Sequence, residues 1–170
     1  MKQQIKIFFS TLFVLIVMNV FGQKDKIKLQ VDSLKYLSGD PFECNSLTWR
    51  IIANKKDAIQ ILIDKLGDTT LTKATDKCKK TYLRVGDLAY LTLERILSLP
   101  FFAVTGMQCD VMQDGCWIGV FEYIEANRPK FKGQVQAYYD KKKVNLKWRK
   151  LDRNDLTTCY IKNNIKGQYE

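Results

Sequence analysis

The chain contains no histidine in its 170 residues. Without imidazole there is no Ser, His, Asp triad, no Cys and His dyad and no histidine ligand for zinc, so histidine-based hydrolysis is excluded. No apolar stretch of spanning length follows the first one, so no transmembrane span is expected after residue 22 and the remainder reads as soluble. No cysteine follows that first run closely, which argues against lipoprotein processing. Acids are scarce near the C-terminus: residues 128–153 carry ten basic residues against Asp140 and Asp152.

What is present begins with Lys2 and Lys6, an apolar run from Ile7 to Val17, and the approach Val20, Phe21, Gly22. That is the layout of a secretory signal peptide cut after Gly22, which places the mature chain in the periplasm or outside the cell. Residues 1–22 hold two lysines and no acid, so their removal lowers the formal charge from +10 to +8. Residues 23–170 are long enough for a single domain with its own core, expected over about 40–148. Since the 128–153 segment is also net +8, the rest of the mature chain is neutral overall.

The hydrophobic periodicity is helical. In Leu83 to Pro100, Ala89, Tyr90, Leu93, Ile96 and Leu97 fill one broad face, extended by Leu88 and Leu99, while Asp87, Glu94 and Ser98 form a narrow polar strip. Gly86 permits the entry bend, Asp87 suits the first turn, and Pro100 ends the run. This is the expected central helix. Ahead of it, Asp40, Pro41, Phe42, Glu43 resembles a capping box and predicts a helix to about Ala53, with Cys44, Leu47, Ile51 and Ile52 inward and Trp49 on a flank. A second helix over Ala58, Ile59, Leu62, Ile63 and Leu66 ends at Gly67. A short helix near Val31 to Leu37 is expected after a mobile terminus. Residues 68–82 and 101–116 read as loops. Trp117, Ile118, Val120, Phe121 and Ile124 share one helical side, and Phe131, Val135, Tyr138 and Tyr139 another. Val144, Leu146 and Trp148 alternate with polar residues, faintly echoed by Thr157, Cys159 and Ile161, which suggests a short C-terminal β-ribbon. The fold class is therefore mainly α, a small bundle or stack of about five helices.

All five cysteines, Cys44, Cys78, Cys109, Cys116 and Cys159, lie beyond the export signal, where an oxidising compartment favours disulfides. Cys109 and Cys116 can close a short loop with Gly115, and Cys44 on the first expected helix faces Cys78 in the linker that returns across it, which leaves Cys159 as a free thiol or an intermolecular bridge.

The segment WRIIANKKDAIQILIDKLGDTT followed by LRVGDLAYLTLERILSLPF resembles HEAT-like helical repeats. With the later YIEANRPKFKGQVQAYYDKKKVNLKW it also resembles uncharacterised exported bacterial helical proteins. The likeness covers roughly Asp40 to Trp148 and implies a stacked helical scaffold for binding, with no catalytic residues to carry over.

Few constellations could carry chemistry. Glu122 with Glu125, or Asp87 with Glu94, could act as general acid and base in glycan cleavage, but the plainer reading is a solvated helix face and a helix cap. Asp110, Gln113 and Asp114 lack the spacing of a calcium loop. The basic run, with Phe131, Tyr138, Tyr139 and Trp148 interleaved, suggests attraction to an anionic partner through Arg128, Lys130, Lys132, Lys141, Lys142, Lys143, Lys147, Arg149 and Lys150. Export argues against nucleic acid as that partner. The expected function is a non-enzymatic exported binding protein, without cofactor or metal, whose partner is a protein or an anionic cell-envelope polymer. The rival readings are a periplasmic immunity protein against a toxin and a carboxylate-dependent glycan hydrolase.

Overall fold

The structure is a computed structural model and describes residues 22–44, 46–79, 81–108, 112–113, 116–152 and 156–170. Residues 1–21 of the expected signal peptide and Cys109 lie outside the described residues. About 53% of the described residues are helical, and three small two-stranded sheets lie among them, so the fold is mainly α. Among the described residues no helix is long and apolar enough to cross a membrane.

Helix α1, residues 22–32, continues into a 3-10 turn over Ser33–Tyr36. It is longer than the expected Val31 to Leu37 helix. Ile27, Val31 and Leu34, spaced four and three apart, all lie on one face and are buried, which ties the whole segment to the body. The helix expected to begin at Asp40 begins only at Leu47: α2 spans Leu47–Ile52. The Asp40 carboxylate accepts the Phe42 amide at 2.8 Å, and Thr48 and Ser46 hydroxyls both donate to the Pro41 carbonyl. These side chains satisfy backbone groups in a turn and compete with an earlier helix start. Trp49, expected on a flank, is 2% exposed; its Nε1 donates to the Phe42 carbonyl and its ring meets Phe42 and Tyr160 edge-on.

Helix α3, Lys56–Lys65, buries Ala58, Ile59, Leu62 and Ile63 as the periodicity requires, and packs along α4, Val85–Glu94. The turn between α2 and α3 passes through Lys55 in a left-handed conformation. Strand β1, Ser38–Gly39, runs parallel to β2, Lys73–Ala74, inside the segment read as loop. Helix α4 is the centre of the core: Val85, Leu88, Ala89, Tyr90, Thr92 and Leu93 are all buried. It stops at Glu94, short of the expected Pro100. Ile96 and Ser98 instead exchange backbone hydrogen bonds with Tyr169, so the final strand takes the partners that another helical turn would have used.

The 101–116 segment is less loop-like than its composition suggests. Phe101–Thr105 forms the short α5, and β3, Met112–Gln113, pairs antiparallel with β4, Cys116–Trp117. Helix α6, Val120–Ala126, starts after Gly119, whose positive φ breaks the run, so Ile118 remains exposed. Helix α7, Arg128–Lys142, has proline in its first turn and buries Phe131, Val135 and Tyr139. Tyr90, Phe101, Tyr123 and Phe131 meet at ring separations of 5.5–6.5 Å, mostly edge to face, and so join α4, α5, α6 and α7.

The C-terminal ribbon exists, with a different partner strand. β5, Trp148–Lys150, pairs antiparallel with β6, Gly167–Tyr169, whereas Thr157 to Ile161, read as strand, largely forms α8, Thr158–Lys162. Gly167 is needed there because a Cβ would collide with the Arg149 carbonyl and the Trp148 ring. One hydrophobic cluster runs from Ile27 to Ile165, beyond the expected 40–148 at both ends.

The expected cysteine pairings are corrected. Cys44 is bonded to Cys159, with Cα atoms 4.6 Å apart, and Cys78 to Cys116, with Cα atoms 5.2 Å apart. Burial of Tyr160 against Trp49 brings α8 to the Asp40–Ser46 turn, where the Asn163 side-chain amide also donates to the Cys44 carbonyl. Sequence proximity carries no information about such long-range approach.

Candidate functional site

The basic residues of the C-terminal third do not form one surface. Lys130, Lys141, Lys142, Lys143, Lys147, Arg149 and Lys150 are exposed. Lys132 is half-buried and donates to the Asp64 carbonyl at the end of α3. Arg128 is a correction to the expected partner-binding set: it is 5% exposed and faces inward, so it offers nothing to a partner.

Lys141 and Lys142 occupy the last turn of α7, where cations complement the negative end of the helix dipole. Lys143 pairs with Asp140 at 2.8 Å. That hydrogen bond is the main reason the Asp140 carboxyl lies below its ordinary value and the Lys143 ammonium above its own. Both side chains are about half exposed. Arg149 pairs with Glu170 across the ribbon at 3.1 Å. Lys55, from the α2–α3 turn, lies over the Trp148 ring at 4.8 Å and adds a charge that is distant in sequence. The outcome is a cationic end to the molecule, built from the end of α7, the turn after it and β5. At its apex Val144 is 85% exposed.

Arg128 belongs to an interior network centred on Asp87, which has no solvent exposure. One Asp87 oxygen receives Arg128 Nη2 at 2.6 Å; the other receives Lys79 Nζ at 2.7 Å and the Arg84 amide at 2.8 Å. Asp87 therefore does cap α4, and in addition neutralises two cations whose side chains are each 6% exposed. Glu125, on α6, adds Arg84 at 3.4 Å and Lys79 at 3.8 Å. Both Asp87 oxygens are occupied and enclosed, which leaves this carboxylate no route to a substrate.

Two clefts hold the remaining candidate carboxylates, and the first borders this network. One, of about 480 Å³, is lined by the Cys78–Cys116 disulfide, Lys79, Phe121, Glu122 and Glu125. The other, of about 350 Å³, is lined by Glu94, Arg95, Ser98, Tyr160 and Gln168. Glu94 accepts the Tyr90 hydroxyl at 2.5 Å; burial pushes its carboxyl above the ordinary value, against the lowering effects of that hydrogen bond and of Arg95. Arg95 stacks over Phe42 and Tyr160 at 4.7 and 5.8 Å. Glu122 and Glu125 thus share a cleft, whereas Asp87 and Glu94 do not. Asp110 and Asp114 lie outside the described residues.

Sequence reasoning located the exposed lysines because they are contiguous. It missed Lys55 and Lys79, whose roles depend on contacts to Trp148 and Asp87 far along the chain. Compared with protein-family models, curated proteins and solved structures, the chain matches none.

Proposed function

We propose that this chain is an exported, non-enzymatic helical protein that binds an anionic macromolecule through the cationic end formed by α7, the turn after it and β5. One observation carries the reading. Residues 140–150 hold six basic residues and one acid, and all six basic side chains are exposed. Each internal pair there, Lys143 with Asp140 and Arg149 with Glu170, is itself solvent-exposed and so weakly held. Charge of one sign on one surface creates a field that steers an oppositely charged partner. The charged start followed by the Ile7 to Val17 run, together with two disulfides, supports export. The enclosed Asp87 weighs against the Asp87 and Glu94 pair of the carboxylate-hydrolase alternative.

Binding of polyglutamate, a soluble acidic polymer, tests the reading. Affinity should fall at least about tenfold when salt is raised from about 50 to about 300 mM, because exposed charges are screened over that range. Replacing Lys141, Lys142 and Lys147 together by glutamine should weaken binding at low salt. Absent binding, or binding indifferent to salt, overturns the proposal.

A further inference from the structure

Resting on that reading, we infer that the anionic partner is the surface of a bilayer containing acidic lipids, onto which the α7–β5 turn docks with Val144 entering the headgroup region. Two observations select a membrane over an acidic protein. Val144 has 85% of its surface exposed, and a side chain so exposed projects from the body and does not line a groove. It is preceded by Lys141, Lys142 and Lys143 and followed by Lys147, all exposed, so an apolar side chain stands among ammonium groups that are its neighbours in sequence. That is the combination interfacial elements use, in which an aliphatic side chain enters the headgroup boundary while lysines meet lipid phosphates and keep their stems along the surface.

A protein partner of matching affinity would need an apolar anchor seated in a pocket within a surface that excludes water, and a lone valine at an apex supplies neither. Trp148 is half-buried, its ring packed edge-on against Tyr169 and covered by Lys55, so on this side it is the Lys55 charge that joins the cationic surface. Among the described residues no helix can cross a bilayer, so the contact is peripheral. A lysine near an anionic surface contributes about fivefold in affinity, so the lysines dominate and Val144 adds a smaller increment that depends on lipid.

The test is sedimentation of the full chain with vesicles of pure phosphatidylcholine and of phosphatidylcholine containing phosphatidylglycerol, with polyglutamate as a soluble competitor in parallel. The apolar run at residues 7–17, with Lys2 and Lys6 ahead of it, adds to binding of both vesicle types, so the tip is read from the change that each substitution makes to the ratio of the two affinities. The ratio should exceed about tenfold at low salt and fall about fivefold for each of Lys141→Gln and Lys142→Gln. Val144→Ser, which changes a side chain 85% exposed, should weaken binding to acidic vesicles while leaving polyglutamate affinity unchanged. Tight polyglutamate binding without preference for acidic vesicles overturns the membrane assignment and leaves the cationic-surface reading standing. Failure to bind either overturns both. Equal vesicle binding by Val144→Ser overturns docking through the tip.

Discussion

Asp87 and Arg128, forty-one positions apart, meet at 2.6 Å in the interior, and Lys79 completes the site from the other side of the same carboxylate. The three groups join the loop before α4, the start of α4 and the start of α7. Removal of one partner from a buried ion pair leaves an uncompensated charge and costs about 3–5 kcal/mol. Asp87→Asn leaves Arg128 unopposed and Lys79 with only Glu125 at 3.8 Å, whereas Arg128→Met leaves Asp87 still bonded to Lys79 and the Arg84 amide. Urea unfolding should therefore rank Asp87→Asn as the more destabilising of the two. The reverse order would show that Arg128, not Asp87, anchors the network.

Gly86 sits beside that network. A Cβ there would lie 2.8 Å from Arg128 Nη1 and 2.9 Å from the Asp68 carbonyl, and closer still to the Leu66 carbonyl. In an open helix Gly→Ala gains up to about 1 kcal/mol. Here the obstacles include backbone, so Gly86→Ala should destabilise by about 1–3 kcal/mol despite the better propensity. A stability equal to or above wild type would mean that the end of α3 yields easily.

The two disulfides close loops of very different length, with sequence separations of 115 and 38. On the chain-entropy account, opening Cys44–Cys159 costs about 5 kcal/mol and opening Cys78–Cys116 about 4 kcal/mol. Paired Cys→Ser variants should follow that order in denaturant midpoint. A non-reducing peptide map should join Cys44 to Cys159 and Cys78 to Cys116; a Cys109 to Cys116 link would contradict the structure.

Glu94 imposes a pH dependence. Its folded carboxyl binds a proton more tightly than the unfolded one, whose value is near 4.5. Between that value and the folded-state value the native form holds more protons, so stability contributed at Glu94 falls as pH rises through that window and is flat on either side. Glu94→Gln carries no ionisable proton and should remove this part of the slope. The check is the difference in urea midpoint between wild type and variant at pH 4 and pH 7.5: wild type should lose more stability than the variant on going to the higher pH. A variant with an unchanged slope would place the titration elsewhere.

The amino-acid order alone determined the helical class, the α3 and α7 apolar faces, the central position of α4 and the contiguous lysines after Tyr139, because each of these follows from spacing along one element. Periods of three and four residues report burial directly, and adjacent charges stay adjacent whatever the fold. Tertiary structure decided the rest. The cysteine partners, the ribbon between β5 and β6, the early stop of α4 and the inward turn of Arg128 all depend on segments far apart in sequence. Tyr160 reaches Trp49, Tyr169 reaches Ile96 and Asp87 reaches Arg128 only after the core has closed, and local propensity carries no record of those approaches. The same reason separates Lys55 from the cationic end in sequence and joins it there in space: charge can be counted along a chain, but a surface exists only once distant segments have been packed side by side.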